Sequence, residues 1–186
     1  MKETWQVVLA GEGGQGLIVA GILLAQAASL WEEKNAAQTQ SYGIASRGGF
    51  TKSEVVISTR EIIYPGVEEP DLVLALTQEA YGIYAPSLPA QAFLVYDSSL
   101  VEPLPEEKIA ARACGFPFTE TARELGRAEV TNLVALGAIV AITGIVGAES
   151  LEKTIRHRFS GRAAELNLQA YHRGLALAGS PINQLE

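Results

Sequence analysis

Short apolar runs bounded by glycine, proline or aspartate alternate with longer apolar-periodic stretches over the first two-thirds of the chain, and the last third is helical in pattern. Residues 6–10 form an apolar run that stops at Gly11, as a buried parallel strand does, and 15–30 follow with an Ala/Leu/Ile-rich helical pattern. Residues 36–40 predict a second strand leading into a glycine-bearing loop at 41–50. Residues 52–58, with Val55, Val56 and Ile57, predict another. The short piece at 61–64 also reads as extended, and the tight Thr59–Arg60 connection predicts a hairpin between it and 52–58, hence a mixed sheet. Strands at 71–76, 92–96 and 109–114 alternate with helices at 78–84, ended by Pro86, and at 119–125, capped by Thr119. Helices at 130–147, 150–158 and 162–178 complete the pattern.

Strands and helices in alternation, followed by helices alone, define an α/β protein: a three-layer Rossmann-like domain with a mixed β-sheet and a helical C-terminal third. No repeat and no long linker divides the 186 residues, so residues 1–186 are expected to form a single domain. Residues 130–147 carry no charge and approach a membrane span in length, but they include Thr131, Asn132 and Thr143 and lack flanking basic anchors. A buried helix is the expectation, with Gly137 and Gly144 on one face suited to close packing.

A formal charge of −7 disfavours nucleic acid, and no basic patch with interleaved aromatics offsets it. The N-terminal sequence has no signal-peptide h-region, so a cytoplasmic protein away from membranes is expected. Cys114 is the only cysteine, which excludes an internal disulfide and the four thiolates of an iron–sulfur cluster; an apolar filler near a strand end is the expectation for it.

Gly11-Glu12-Gly13-Gly14-Gln15-Gly16 satisfies G-x-G-x-x-G between a strand and a helix, which makes Gly11, Gly13, Gly14, Gln15 and Gly16 candidate cofactor-binding residues. Glycines allow the sharp turn, and free N–H groups at a helix start attract anions. A dinucleotide site also needs a carboxylate at the end of the second strand, and Ala36-Ala37-Gln38-Thr39-Gln40 has none. Glu32 and Glu33 come too early and fall at the preceding helix end. NAD(P) is therefore disfavoured, and the motif serves either an anion or close helix packing. The loop Ser41-Tyr42-Gly43-Ile44-Ala45-Ser46-Arg47-Gly48-Gly49 sets one arginine between glycines. Tyr42, Gly43, Arg47, Gly48 and Gly49 are candidates for a partner- or substrate-facing loop, since a guanidinium fork suits carboxylate or phosphate. The alternative is that Arg47 anchors the loop to the domain's own carbonyls or to a neighbouring subunit. No catalytic residue and no metal-ligand spacing appears; His157 and His172 lie in charged helices, and Asp71 and Asp97 border strands where carboxylates cap turns.

These residues resemble the gamma subunit, or equivalent domain, of 2-oxoacid:ferredoxin oxidoreductases. The resemblance runs through Gly11 to Gly16, Ser41-Tyr42-Gly43, Arg47-Gly48-Gly49, Val55-Val56-Ile57-Ser58, Pro70-Asp71, Asn132-Leu133-Val134-Ala135-Leu136-Gly137 and Glu165-Leu166-Asn167 with Ala170 and Gly174. It is closest to the 2-oxoglutarate branch, through Ser41-Tyr42-Gly43, the Arg47-Gly48-Gly49 turn and the Ile-x-Tyr-Pro piece at Ile62-Ile63-Tyr64-Pro65. The glutamate that many members carry shortly before the arginine is absent here, where Ile44, Ala45 and Ser46 stand. The resemblance implies a hetero-oligomeric enzyme that decarboxylates a 2-oxoacid on thiamine diphosphate with Mg, passes electrons through iron–sulfur clusters to ferredoxin, and transfers the acyl group to coenzyme A. The expected partners are alpha and beta subunits and a ferredoxin-like delta subunit. No cofactor is expected to be bound by this chain alone, and the isolated chain is expected to be inactive. The small subunit of indolepyruvate:ferredoxin oxidoreductase, and a stand-alone nucleotide-binding or regulatory module, are the alternatives.

Overall fold

A computed structural model describes residues 2–42 and 49–179. Among the described residues six strands form one sheet, β1 (Thr4–Glu12), β2 (Asn35–Tyr42), β3 (Phe50–Ser58), β4 (Leu72–Ala75), β5 (Phe93–Asp97) and β6 (Arg112–Phe116), in the spatial order β2-β3-β1-β4-β5-β6. β1, β4, β5 and β6 run parallel, whereas β3 lies antiparallel between β1 and β2. Pairs such as Val7↔Val55 and Val7↔Leu72 set the register of the centre. Strand alternation splits the core in two. Val7, Leu9, Leu72, Leu74, Val55 and Ile57 face one layer of helices, while Val8, Ala10, Val73, Ala75 and Leu94 face the other side.

The first layer contains α1 (Leu17–Trp31), α3 (Phe118–Glu124), α4 (Thr131–Thr143), α5 (Ala148–Arg158) and α6 (Gly161–Gly179); α2 (Gln78–Tyr84) covers the opposite face. Every residue of α4 from Thr131 to Val140 is buried, which is why no polar face is legible in its sequence. Among the described residues no helix is long and apolar enough to cross a membrane. Gly144 does not share a packing face with Gly137: it ends α4 in the left-handed conformation at φ 58°. Gly137 packs within the domain, against α6.

Three further sequence expectations are corrected. The hairpin between 52–58 and 61–64 does not form, because β1 and β2 occupy both edges of β3 and leave no free ladder for a third partner. The sheet is mixed all the same, through the β2–β3 pairing. Thr119 does not cap α3. It lies inside the helix, where its hydroxyl donates to Asp97 Oδ2 at 2.5 Å and its N–H to the same oxygen at 3.0 Å, and Pro117 precedes the first turn. The helix after the glycine turn starts at Leu17 rather than Gln15, since Gly16 is left-handed at φ 72°.

Candidate functional site

The glycine turn lies at the C-terminal edge of the parallel strands. Gly11 and Glu12 still belong to β1, paired with Thr51 and Phe50, so the turn proper is Gly13 to Gly16. Gln15 braces it. Its side-chain carbonyl accepts from the Glu12 N–H at 2.7 Å, its amide donates to the Leu76 carbonyl at 3.3 Å just beyond β4, and its backbone N–H reaches the Glu12 carbonyl at 3.2 Å. That side chain crosses directly over Gly11, where any Cβ would strike it. Gly16 is constrained twice: its φ is left-handed, and a Cβ would stand 2.5 Å from Asn132 Nδ2. Asn132, buried at the start of α4, donates to the Gly16 carbonyl at 3.0 Å and ties the turn to the C-terminal helices.

The two candidate loops meet. The Gly13 N–H donates to the Gly49 carbonyl at 3.0 Å, which joins the glycine turn to the residue that opens β3. Tyr42 closes β2 opposite Thr51. Gly43, Arg47 and Gly48 lie outside the described residues.

A cavity of about 350 Å³ opens beside the turn, bordered by Gly14, Gln15, Thr119, Arg123, Glu129 and Thr131. Gly14 holds φ 99° with open space where a side chain would be. The N–H groups of Gly14, Gly16 and Leu17 meet no acceptor among the described residues. Arg123, exposed on α3, has no side-chain partner among the described residues. Unpaired amides at a helix start with a guanidinium nearby make a donor set suited to phosphate. Arg123 and Asn132 had no local signature as site residues: each reaches the turn only through the packing of α3 and α4.

Other polar groups serve structure. Asp97 is fully buried and accepts from the Ser99 and Thr119 N–H groups, both at 3.0 Å. Asp71 accepts from the Gln6 N–H at 2.9 Å. Glu32 ends α1 and accepts from the Gly147 N–H at 2.5 Å; burial opposes its ionisation, but the bonds from Lys34, Gly147 and Ser150 prevail and hold its carboxyl below the usual value. Burial pushes the Cys114 thiol up, away from a reactive thiolate. His172 lies at the surface, 3.0 Å from Glu152. Among the described residues no three His, Cys, Asp or Glu side chains converge as metal ligands. With one cysteine in the whole sequence, the donor set does not fit a four-thiolate cluster.

Together the fold and turn define a Rossmann-like α/β protein with a braced glycine turn. In dinucleotide folds the second strand lies beside the first and delivers the ribose carboxylate, but here β3 intervenes and β2 stands two strand spacings away, about 10 Å. The chain belongs to the pyruvate ferredoxin/flavodoxin oxidoreductase family, whose profile matches residues 6–177. It is 42% identical to the 2-oxoglutarate synthase subunit KorC of Archaeoglobus fulgidus over 95% of this chain and 89% of that protein. The crystal structure of a keto/oxoacid ferredoxin oxidoreductase gamma subunit from Geobacter sulfurreducens superposes with a TM-score of 0.85 at 41% identity, covering 95% of this chain and 97% of that one. A 2-oxoglutarate:ferredoxin oxidoreductase from Magnetococcus marinus, solved with 2-oxoglutarate, coenzyme A and succinyl-CoA bound, matches with a TM-score of 0.85 at 26% identity, covering 96% of this chain and 31% of that one. The indolepyruvate oxidoreductase subunit IorB of Methanothermobacter thermautotrophicus is 27% identical over 94% of this chain and 97% of that protein.

Proposed function

We propose that this chain, residues 1–186 as one domain, is the gamma subunit of a 2-oxoglutarate:ferredoxin oxidoreductase and forms part of its coenzyme A site. The relatives support a subunit of an oxidoreductase complex, and the greater likeness to KorC than to IorB favours 2-oxoglutarate over indolepyruvate. One observation carries the reading. A chain that matches a separate gamma subunit over 95% of its length carries, among its described residues, amide donors without acceptors on a braced glycine turn and no three His, Cys, Asp or Glu side chains that converge as metal ligands.

In the complex, the 2-oxoacid is decarboxylated and its electrons pass to ferredoxin on other chains, with thiamine diphosphate, Mg and iron–sulfur clusters held there. Coenzyme A, when bound, supplies the thiol that accepts the acyl group. This chain's contribution is positional. The N–H groups of Gly14, Gly16 and Leu17 hold phosphate, Arg123 neutralises it, and Gln15 and Asn132 keep the turn from reorganising as charge arrives. The hairpin end at Tyr42 and Gly49, with Arg47 in the segment between them, faces the partner or the substrate.

The test is co-expression with the alpha, beta and delta chains, followed by coenzyme A-dependent viologen reduction with 2-oxoglutarate, pyruvate, 2-ketoisovalerate and indolepyruvate. The assembled complex is expected to give its highest kcat/KM with 2-oxoglutarate, and the isolated chain no turnover. Preference for indolepyruvate, or turnover by the single polypeptide, overturns the reading.

A further inference from the structure

The Ile62-Ile63-Tyr64-Pro65 piece has no part in the sheet and none in the glycine-turn site. It belongs to the crossover between β3 and β4, and it exposes apolar surface on a fixed frame. Ile63 is 94% exposed and Tyr64 62%. At the entrance, the Thr59 N–H donates to the Glu3 carbonyl at 3.1 Å and Asn35 Nδ2 donates to the Arg60 carbonyl at 2.9 Å. At the exit, the Glu68 N–H donates to Gln6 Oε1 at 2.7 Å and the Asp71 N–H to the Gln6 carbonyl at 2.8 Å. Between these anchors, Pro65 fixes its own φ, and the Tyr64 ring folds back on Gly66 so closely that a Cβ there would stand 2.6 Å from it. An apolar side chain held out on a pinned knuckle has already met the ordering cost that docking otherwise demands.

The rim is acidic. Glu61, Glu68 and Glu69 are all exposed, and none has a side-chain partner among the described residues. A cleft of about 210 Å³ adjoins the knuckle, lined by Gln6, Ile62, Ile63 and Tyr64 with the buried Val56 of β3 beside them. A second copy would bring the same carboxylates against themselves in a chain of net charge −7, so self-association is disfavoured. The complementary occupant is a different chain with an apolar socket rimmed by lysine and arginine.

We infer that the Ile63–Tyr64 knuckle is a docking element by which this chain engages a basic-rimmed partner subunit of the oxidoreductase complex. The inference rests on the subunit reading above. It is tested with the full chain reconstituted with its partner subunits, measuring assembly by titration across a salt series. Ile63→Asp is expected to weaken assembly about tenfold or more without lowering the melting temperature, while Ile83→Asp, on half-exposed α2 surface, assembles as wild type. Reversing Glu61, Glu68 and Glu69 to lysine is expected to weaken assembly and to abolish the loss of affinity that salt causes in the wild type. An Ile63→Asp chain that assembles within about twofold of wild type overturns this inference and leaves the subunit reading standing. A wild-type homodimer split by Ile63→Asp would overturn it in favour of a second copy. A wild-type chain that joins no such complex overturns both.

Discussion

Gly137 of α4 and Gly174 of α6 stand backbone to backbone: a Cβ built on Gly174 would lie 3.0 Å from the Gly137 Cα and would collide with the Val134 carbonyl. A Cβ on Gly137 would meet the Leu175 nitrogen at 2.7 Å. Neither obstacle is a flexible side chain, so the two helices must separate to admit a methyl group. Alanine gains about 0.8–1.0 kcal/mol over glycine within a helix, but overpacking costs about 1–3 kcal/mol, and the clash with rigid backbone decides the sign. Gly137→Ala and Gly174→Ala are expected to destabilise the chain in urea unfolding. Gly82→Ala, where nothing lies within 4 Å of the new Cβ, is expected to be neutral or stabilising.

Asn132→Ala removes the donor to the Gly16 carbonyl across the gap between α4 and the glycine turn. The Gly16 carbonyl keeps the bond from the Ala20 N–H at 2.9 Å, so the cost is that of one lost hydrogen bond, about 0.5–1.5 kcal/mol. The loss should appear in hydrogen exchange as faster amides in the turn and first helical turn of α1, with the strands unaffected. Uniform protection changes would mean that the bond does not organise the turn.

Arg123→Ala is expected to raise the KM for coenzyme A of the assembled complex roughly 3- to 10-fold, with kcat nearly unchanged, because a phosphate contact acts equally on ground and transition states. An unchanged KM would remove Arg123 from the site.

Arg47→Ala is expected to leave the melting temperature as in wild type while lowering assembly or turnover of the complex. Wild-type behaviour in both assays would assign the arginine to the domain's own loop.

Alkaline pH is expected to unfold the chain. Burial, and then the charge of Glu152, push the Tyr171 phenol well above its ordinary value of 10.0, and burial raises Tyr81, Tyr84 and Tyr96 as well. The folded chain thus keeps phenol protons that the unfolded chain releases from about pH 10. Their contribution is complete below that pH and is lost as pH rises through the folded values. Tyr171→Phe should flatten the alkaline limb of a stability–pH curve, while also removing the bond from its hydroxyl to the Ala148 carbonyl.

Much of the fold was legible because buried parallel strands announce themselves as apolar runs: residues 6–10 and 71–76 need no context to be read as β1 and β4. Strand pairing was not legible, since nothing local in residues 61–64 reveals that both edges of β3 are taken. Thr119 likewise has the chemistry of a cap, and only the buried Asp97, brought in by β5, draws its hydroxyl elsewhere. At the site, the glycine pattern marked the turn. The bond from Gly13 to Gly49 and the approach of Arg123 and Asn132 depend on elements distant in sequence, and no spacing rule encodes them.

The insertion of β3 between β1 and β2 limits what redesign can achieve. Placing an acid at Gln40 or Tyr42 would complete the written fingerprint of a nicotinamide enzyme, yet the new carboxylate would reach for a sugar lying one whole strand out of its grasp. Conversion to that trade would require rethreading the sheet, so point mutation alone offers this lineage no road to it.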